Sequence, residues 1–443
     1  MKDWLREHPE VKTIRVAAAD LNGQARGKRI PARFAEKVLK DGTRFPLSVL
    51  NLDIWGEDIE NSPLLFETGD ADGVLQPTER GFLPMPWLEA PTALLPIWMF
   101  REDGSPFDGD PRHALARVVG RYAARGLTPV VATELEFYLI DDSGKDLRVP
   151  PSPRSGKRRP GADTLALRAL DAFDRFFTDL YDACEAMDID ADTAISEAGL
   201  GQFEINLLHG DAMKAADDAW LFKLLVKGLA RRHGFAASFM AKPYPDQPGN
   251  GMHMHFSVLD GTGANVFDDG GPKGTAVLRH AIAGCLAAMG DSMLLFAPHA
   301  NSYDRLVPSA HAPTGIAWAY ENRTSAIRVP AGNPRARRIE HRAAGGDINP
   351  YLMIAGVLGA ALGGIEDQSA PPAPITGNAY EQDLPQLPLT WAKAIERFAH
   401  SPRIARIFPD EMIRNLVLTK RQEIHYMAEL SPEEVVELYL DTV

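Results

Sequence analysis

Three short segments of this chain alternate charged and apolar residues with a period of two, and they restrict its fold more than any other feature. In Val131-Ala-Thr-Glu-Leu-Glu-Phe-Tyr138, Glu134 and Glu136 fall on one face of a strand. In Gly251-Met-His-Met-His-Phe-Ser257 the same spacing groups His253, His255 and Ser257. In Arg338-Ile-Glu-His-Arg342 it groups Arg338, Glu340 and Arg342. Much of the other face of each strand is apolar or neutral. Glu197 and Glu204 flank Ala198-Gly-Leu-Gly-Gln-Phe203, a turn that leads into a further strand. Alone, each segment reads as a half-exposed strand with a solvated outer face. Together they call for more. Glu134 and Glu136 sit in a run whose neighbours point to burial, and carboxylates are rarely buried without a partner. Carboxylates converging inside a sheet repel one another unless cations join them. Oxygen donors with one imidazole suit Mg²⁺ or Mn²⁺ rather than zinc. Two such ions close together suit phosphoryl transfer from a nucleotide.

Arginines supply the complement. Arg305, Arg323, Arg328, Arg338 and Arg342 fall in one stretch, and guanidinium forks match carboxylate and phosphate oxygens. Arg335 and Arg337 read as solvated surface charge. The chain has no Gly-x-x-x-x-Gly-Lys-[Ser/Thr] loop, so any nucleotide site is not of the P-loop kind.

Composition narrows the function classes. The 443 residues are 45% hydrophobic and 24% charged, which fits a globular protein with a large core. The net charge of −13 disfavours non-specific binding to nucleic acid or to an anionic membrane. Cys184 and Cys285 have no metal-like spacing and fit a reducing, cytoplasmic setting. Residues Met1 to Val11 contain no apolar run of the signal-peptide kind. The longest apolar stretch, Tyr351 to Ile365, is too short to span a bilayer and reads as a buried helix.

Texture changes along the chain. Residues 1–105 show short apolar runs broken by Gly, Pro and Asp, with a strand at Thr13–Ala19 and a helix from Pro31 to Lys40. The turn cluster Asp103-Gly-Ser-Pro-Phe-Asp-Gly-Asp-Pro111 marks a boundary. Residues 106–443 alternate strands and helices. Helices are expected over Pro111–Arg125 and Leu165–Met187, strands over Pro129–Ile140, Gln202–Leu208, Gly251–Leu259 and Ile339–Arg342, and a mostly helical tail from Thr390. Arg148 to Ala162 reads as a loop.

These segments, in this order, resemble the glutamine synthetase family. The matching strings include Glu134-Leu-Glu136, Glu197-Ala-Gly-Leu-Gly-Gln-Phe-Glu204, Gly249-Asn-Gly-Met-His-Met-His255, Asn301-Ser-Tyr-Asp-Arg-Leu-Val-Pro308, Asn322-Arg323 with Ile327-Arg-Val-Pro330, and Arg338-Ile-Glu-His-Arg342. The resemblance covers essentially the whole chain. It implies an α+β fold: a small N-terminal β-grasp-like domain over 1–105, and a catalytic domain over 106–443 with a curved antiparallel sheet and flanking helices. It implies that Glu136, Glu197 and Glu204 hold one Mg²⁺ or Mn²⁺ ion, and that Glu134, His253 and Glu340 hold another beside ATP. By the same resemblance Arg305, Arg342 and Gly249 belong to the glutamate site, Arg323 and Arg328 to the transferring phosphoryl group, and His255, Ser257, Arg338 and His209 to ATP. A homo-oligomer, commonly a dodecamer with active sites shared between subunits, is also implied.

Two departures bear on the substrate. Glutamine synthetases carry a flap glutamate three residues after a Val-Pro, whereas Val307-Pro-Ser-Ala-His311-Ala-Pro313 carries His311 there. The family's Asp-Gly-Ser-Ser loop, which helps hold ammonium, is replaced by Val49-Leu-Asn-Leu-Asp-Ile-Trp-Gly56. Arg26-Gly-Lys-Arg-Ile-Pro31 and Leu52-Asp-Ile-Trp-Gly56 instead resemble the γ-glutamylpolyamine synthetase branch. The reaction implied is ATP-dependent ligation of the glutamate γ-carboxylate to an organic amine, putrescine, a polyamine or an alkylamine, through γ-glutamyl phosphate. His311 or Asp53 is the candidate proton acceptor or amine orienter, and Trp55 a candidate wall for the amine's carbon chain. A glutamine synthetase using ammonia and a catalytically weak metabolite sensor are the alternatives. Tyr380 lies where some relatives carry an adenylylated tyrosine, but its surroundings differ in spacing, and it reads as an exposed loop residue.

Overall fold

The computed structural model describes residues 2–144, 147–159, 161–310 and 312–443. Two sheets organise the chain. The first is six-stranded and comprises β1 (Thr13–Ala19), β2 (Ala25–Pro31), β3 (Thr43–Pro46), β4 (Asp72–Pro77), β5 (Leu83–Pro84) and β6 (Thr92–Phe100). Its order is β2-β1-β6-β4-β3, with β5 beside β6. Central β6 is buried along most of its length, and with the helix Ala35–Asp41 it encloses a small core that includes Ile14, Val16, Leu75 and Leu95.

The second sheet is eight-stranded and curled. It comprises β7 (Thr128–Ile140), β8 (Ala191–Ser196), β9 (Gln202–Asp211), β10 (Ala236–Ser238), β11 (Met252–Leu259), β12 (Trp318–Tyr320), β13 (Ile327–Val329) and β14 (Ile339–His341). Its order is β12-β13-β14-β11-β7-β9-β8, and β10 pairs with the end of β7. Neither sheet is purely antiparallel, because β1 runs parallel to β6 and β12 parallel to β13.

One face of β7 and its neighbours carries Leu135, Phe137, Phe203, Ile205, Met252 and Met254 into the main core. Helices cover that face. The longest apolar run forms the helix Pro350–Glu366, capped by the Asn349 side chain, which accepts from the backbone N–H groups of Tyr351 and Leu352. The Asn349 amide also donates to the Asp20 carbonyl at 2.8 Å, tying this cap to the β1–β2 turn. A second tie is the fully buried pair Lys420–Glu423 at 2.7 Å. The Asn22 amide donates to Glu423 at 3.0 Å, and Lys420 donates to the Asn22 side-chain oxygen. Among the described residues no helix is long and apolar enough to cross a membrane.

The expected helix Leu165–Met187 is instead two, Leu167–Asp171 and Asp174–Ala186, broken at Ala172–Phe173 where Phe173 turns into the core. Arg337 is not solvated: it is 8% exposed and donates to the Pro272 carbonyl at 3.1 Å.

Helix Pro350–Glu366 crosses helix Ala276–Met289 at a pair of glycines. A Cβ on Gly284 would lie 2.1 Å from the Ala360 carbonyl oxygen, and one on Gly364 would lie 2.1 Å from that of His280. Both obstacles are backbone, so the helices would have to part. Gly284→Ala is expected to lower stability by about 1–3 kcal/mol, read as a lower thermal midpoint. Gly120 is exposed on helix Pro111–Ala123 with nothing near its Cβ position, so Gly120→Ala should instead raise the midpoint slightly. Equal midpoints for the two variants would contradict the close crossing.

Candidate active site

The register of the second sheet turns the alternation of the sequence into a polar surface. Glu134 of β7 lies opposite His253 of β11 on one side and Asn206 of β9 on the other. Glu136 lies opposite Glu204. His255 lies opposite Glu340, and Glu340 opposite Arg328. Cross-strand partners share a face, so these residues face away from the core.

Ligand atoms of Glu134, His253 and Glu340 all lie within 4.8 Å of one another, and so do those of Glu136, Glu204 and His253. His253 thus stands between the two groups. Glu197, expected with Glu136 and Glu204, is in neither. It precedes β9 on the turn, with its backbone N–H donating to the Gln202 carbonyl, and it faces the group from the rim. The donor set is oxygen with one imidazole, which fits Mg²⁺ or Mn²⁺.

Electrostatics divides the carboxylates into two classes. Burial pushes Glu134 up, but hydrogen bonds from His253 at 3.0 Å and His255 at 2.8 Å outweigh it and hold Glu134 far below the usual carboxylate range. Burial also opposes ionisation of Glu340, and Arg342, His253, His255 and Arg328 together hold it low. Glu197 and Glu204 are less well served. Burial, together with Glu136, pushes Glu197 up to about 7, and Ala198 N–H and Arg323 offset this only in part. Burial pushes Glu204 up further, with Glu134, Glu136 and Glu197 adding to it. The chain's own cations neutralise one half of the face and leave the other half short of positive charge. A divalent ion is the remedy that fits this donor set.

His255 has a defined tautomer. Its Nδ1 accepts from Arg338 Nε at 3.1 Å, so Nε2 carries the proton donated to Glu134. The arginines are held with capacity to spare. Arg328 donates to Glu340 at 2.7 Å and to Glu321, and Arg342 donates to Glu340, yet the Nε–H of each is buried without an acceptor. Arg305 is buried, donates to the Ala343 carbonyl at 3.1 Å, and lies across Gly249 and Gly251. A Cβ at Gly249, on the loop before β11, would meet the Ala241 carbonyl oxygen at 2.4 Å and Arg305 Cγ at 2.8 Å, so this close approach needs glycine. Arg323 is exposed, within electrostatic reach of Glu197.

A cleft of about 510 Å³ opens beside Glu134. His255, Ser257, Arg338 and His209, the four residues grouped by resemblance, all line it. His209 reaches it because β9 carries a bulge: Val131 pairs with Gly210 but Thr133 with Leu207. The cleft also takes in Arg335, expected as plain surface charge, and Asn206, which sequence reasoning passed over. Asn206 stands two residues after Glu204 on the same strand, so the alternation that points to Glu204 is signal enough for it.

Asp53 and Trp55 do not join this face. Asp53 is fully buried; its carboxylate accepts from the N–H groups of Trp55 and Glu57, at 3.0 and 2.9 Å, and from Gln422 at 2.9 Å. Those bonds, with its full burial, make it a brace for its own loop. Trp55 is half-buried, edge-on to Tyr426 at 6.0 Å. His311 lies outside the described residues.

Comparison with known proteins places this geometry in context. Residues 108–439 match the family model described as glutamine synthetase, catalytic domain. The chain is 35% identical to gamma-glutamylputrescine synthetase PuuA of Escherichia coli, over 99% of this chain and 94% of that one. It is 33% identical to a gamma-glutamylethanolamide synthetase of Streptomyces coelicolor, over 94% of this chain and 89% of that one. Among solved structures, GmaS in complex with ADP superposes with a TM-score of 0.84 at 27% identity, covering 98% of this chain and 97% of the other.

Protons and metal compete for the elevated carboxylates. A carboxyl with its pKa near 7 is largely protonated below that pH and must lose the proton to bind an ion. Mn²⁺ affinity is therefore expected to rise between pH 6 and 8, by up to about tenfold per unit for each proton displaced. Titration calorimetry in buffers of different ionisation enthalpy should show proton release, and Glu204→Gln should reduce it. An affinity flat across this range would contradict the charge deficit.

Proposed function

The chain belongs to the glutamine synthetase family and is a ligase, and from that premise we propose that it joins the γ-carboxylate of glutamate to an organic amine at the expense of ATP. The observation that carries this reading is the polar sheet face itself. Carboxylates and one imidazole suited to divalent ions stand beside buried guanidinium groups with unused donors, next to a cleft large enough for a nucleotide. The residues that would hold the ions are Glu134, His253 and Glu340 for one, and Glu136 and Glu204 with Glu197 at the rim for the other. When bound, such ions neutralise phosphate charge.

The chain's own residues account for the remaining demands. Arg305 and Arg342 are suited to glutamate carboxylates because both are buried and pre-oriented. Arg328 and Arg323 are suited to charge that builds on the transferring phosphoryl group. Glutamate attacks the terminal phosphorus of ATP, giving γ-glutamyl phosphate and ADP. The amine nitrogen then attacks the acyl carbon, phosphate leaves, and an amide forms. An alkylamine has a pKa near that of Lys, about 10, so it arrives protonated and must give up a proton first. Asp53 is fully buried and braces its own loop, which favours His311 as the candidate acceptor.

An organic amine is favoured over ammonia by two features. The flap glutamate of glutamine synthetases is replaced by His311, and the loop that helps hold ammonium is replaced by one carrying Trp55. Losing carboxylates weakens a pocket for a small cation, while an aromatic ring suits a carbon chain. The relatives named above for putrescine and ethanolamide products support the same class. We further propose a cytoplasmic homo-oligomer, a dodecamer, in which the loop carrying Trp55 serves a neighbouring subunit's site.

Phosphate release from ATP with Mg²⁺ and glutamate should be measured against ammonia, methylamine, ethanolamine, putrescine, spermidine and aniline. Turnover with at least one organic amine well above ammonia is expected. Turnover with ammonia alone would return the protein to glutamine synthesis. Glu340→Ala and chelation of divalent ions should each abolish turnover, and activity surviving both would remove the metal assignment.

A further inference from the structure

Tyr380 belongs to a short turn, Ala379–Glu381, on the segment that leads to the C-terminal helices. It is not the exposed loop residue expected from sequence: it is half-buried, and its hydroxyl donates to the Ala312 carbonyl at 2.9 Å. Burial pushes its phenol up in pKa, and the guanidinium groups of Arg342 and Arg305 act against that shift. The hydroxyl end of the ring is therefore within electrostatic reach of both arginines assigned above to glutamate.

The same segment is fastened at several further points. The Ala379 N–H donates to Thr324 Oγ1 at 2.9 Å, and Asn322 donates its amide to the Gly377 carbonyl at 2.7 Å. Both bonds tie it to the turn that carries Arg323. Farther along, the Ile316 N–H donates to the Pro385 carbonyl at 2.7 Å and the Leu387 N–H to that of Thr314 at 2.9 Å. Residues 377–387 thus form a strap between the Arg323 turn and the stretch 312–316. Its backbone bonds hold Thr314 and Ile316. Ala312, the residue of that stretch nearest the flap, is held by the Tyr380 hydroxyl.

We propose that Tyr380 is a positioning residue: its hydroxyl fixes residues 312–316 to the strap that also holds the Arg323 turn, and thereby sets how tightly glutamate and the incoming amine are held. This rests on the glutamate–amine reading given above. The nucleotide cleft shares no residue with the strap or with the stretch 312–316, so binding of ATP should be indifferent to the hydroxyl.

Tyr380→Phe removes the donor and keeps the ring. A single neutral hydrogen bond corresponds to about 2- to 13-fold in an equilibrium. The KM for glutamate and for the amine should rise by about that factor, with KM for ATP, Mn²⁺ affinity and thermal midpoint unchanged. Amide exchange across 312–316 should quicken severalfold in the same variant. Unchanged substrate constants with unchanged exchange would overturn the proposal. So would a uniform decline in every constant together with a lower melting point, since that is loss of structure rather than positioning. If the wild-type chain turns over no glutamate–amine pair, the functional reading fails by itself, and the exchange measurement still decides whether the hydroxyl holds this stretch.

Discussion

Mutual repulsion among carboxylates on one face of a sheet governs the rest of this structure. Glu134 and Glu136 cannot turn away from each other, because the pleat assigns both to the same side, and strand pairing adds Glu204 and Glu340 to that side. Their reverse face is committed to the core through Leu135 and Phe137, so slipping the register would bury the charges and expose the apolar residues. The fold must therefore supply positive charge. It does so with Arg328 and Arg342 at Glu340, while Glu134 is held by hydrogen bonds from His253 and His255. Around Glu197 and Glu204, Arg323 and Arg342 offset the burial and repulsion only in part, and the missing charge there is what makes the face a site rather than a closed ion-pair network.

Placement of those cations depends on elements far from β7 in sequence. Arg305 is carried on the short helical turn Ala300–Arg305, and Arg342 follows β14 directly. Behind the sheet, the helix Pro350–Glu366 is capped by Asn349, which also holds the β1–β2 turn through Asp20. The buried Lys420–Glu423–Asn22 cluster fastens the same turn to the C-terminal helices. Removing one member of such a cluster strands a buried charge, a loss of about 3–5 kcal/mol for a buried pair. The chemistry-bearing face and the first sheet are thus linked through a shared backbone turn.

Legibility in the sequence follows the reach of each signal. Strands β7, β9, β11 and β14 are readable because a period of two with buried alternates is the mark of an extended chain packed on one face, and the same rule locates their charged residues. Strand β14 is only three residues long and is legible because the charged residues Arg338 and Arg342 extend its alternation, whereas β8 shows no clean alternation and β10, β12 and β13 are too short for a period to show; their partners define them. Arg337 looks like surface charge because a run of arginines carries no sign of the carbonyls that will accept from it. Asp53 looks available because sequence does not reveal that it is fully buried and bonded to two backbone N–H groups and Gln422. Tyr380 looks exposed for the same reason: its acceptor, Ala312, is distant in the chain. Long-range partners of polar groups are what local pattern omits.

The central claim is that the uncompensated half of the charged face is completed by divalent ions. Anomalous diffraction from crystals grown with Mn²⁺ tests it directly. A peak is expected bounded by Glu134, His253 and Glu340 and another bounded by Glu136 and Glu204, with Glu197 drawn toward the second. Crystals that show no manganese at either group, with Glu204 protonated and bonded to a neighbouring carboxylate instead, would contradict it.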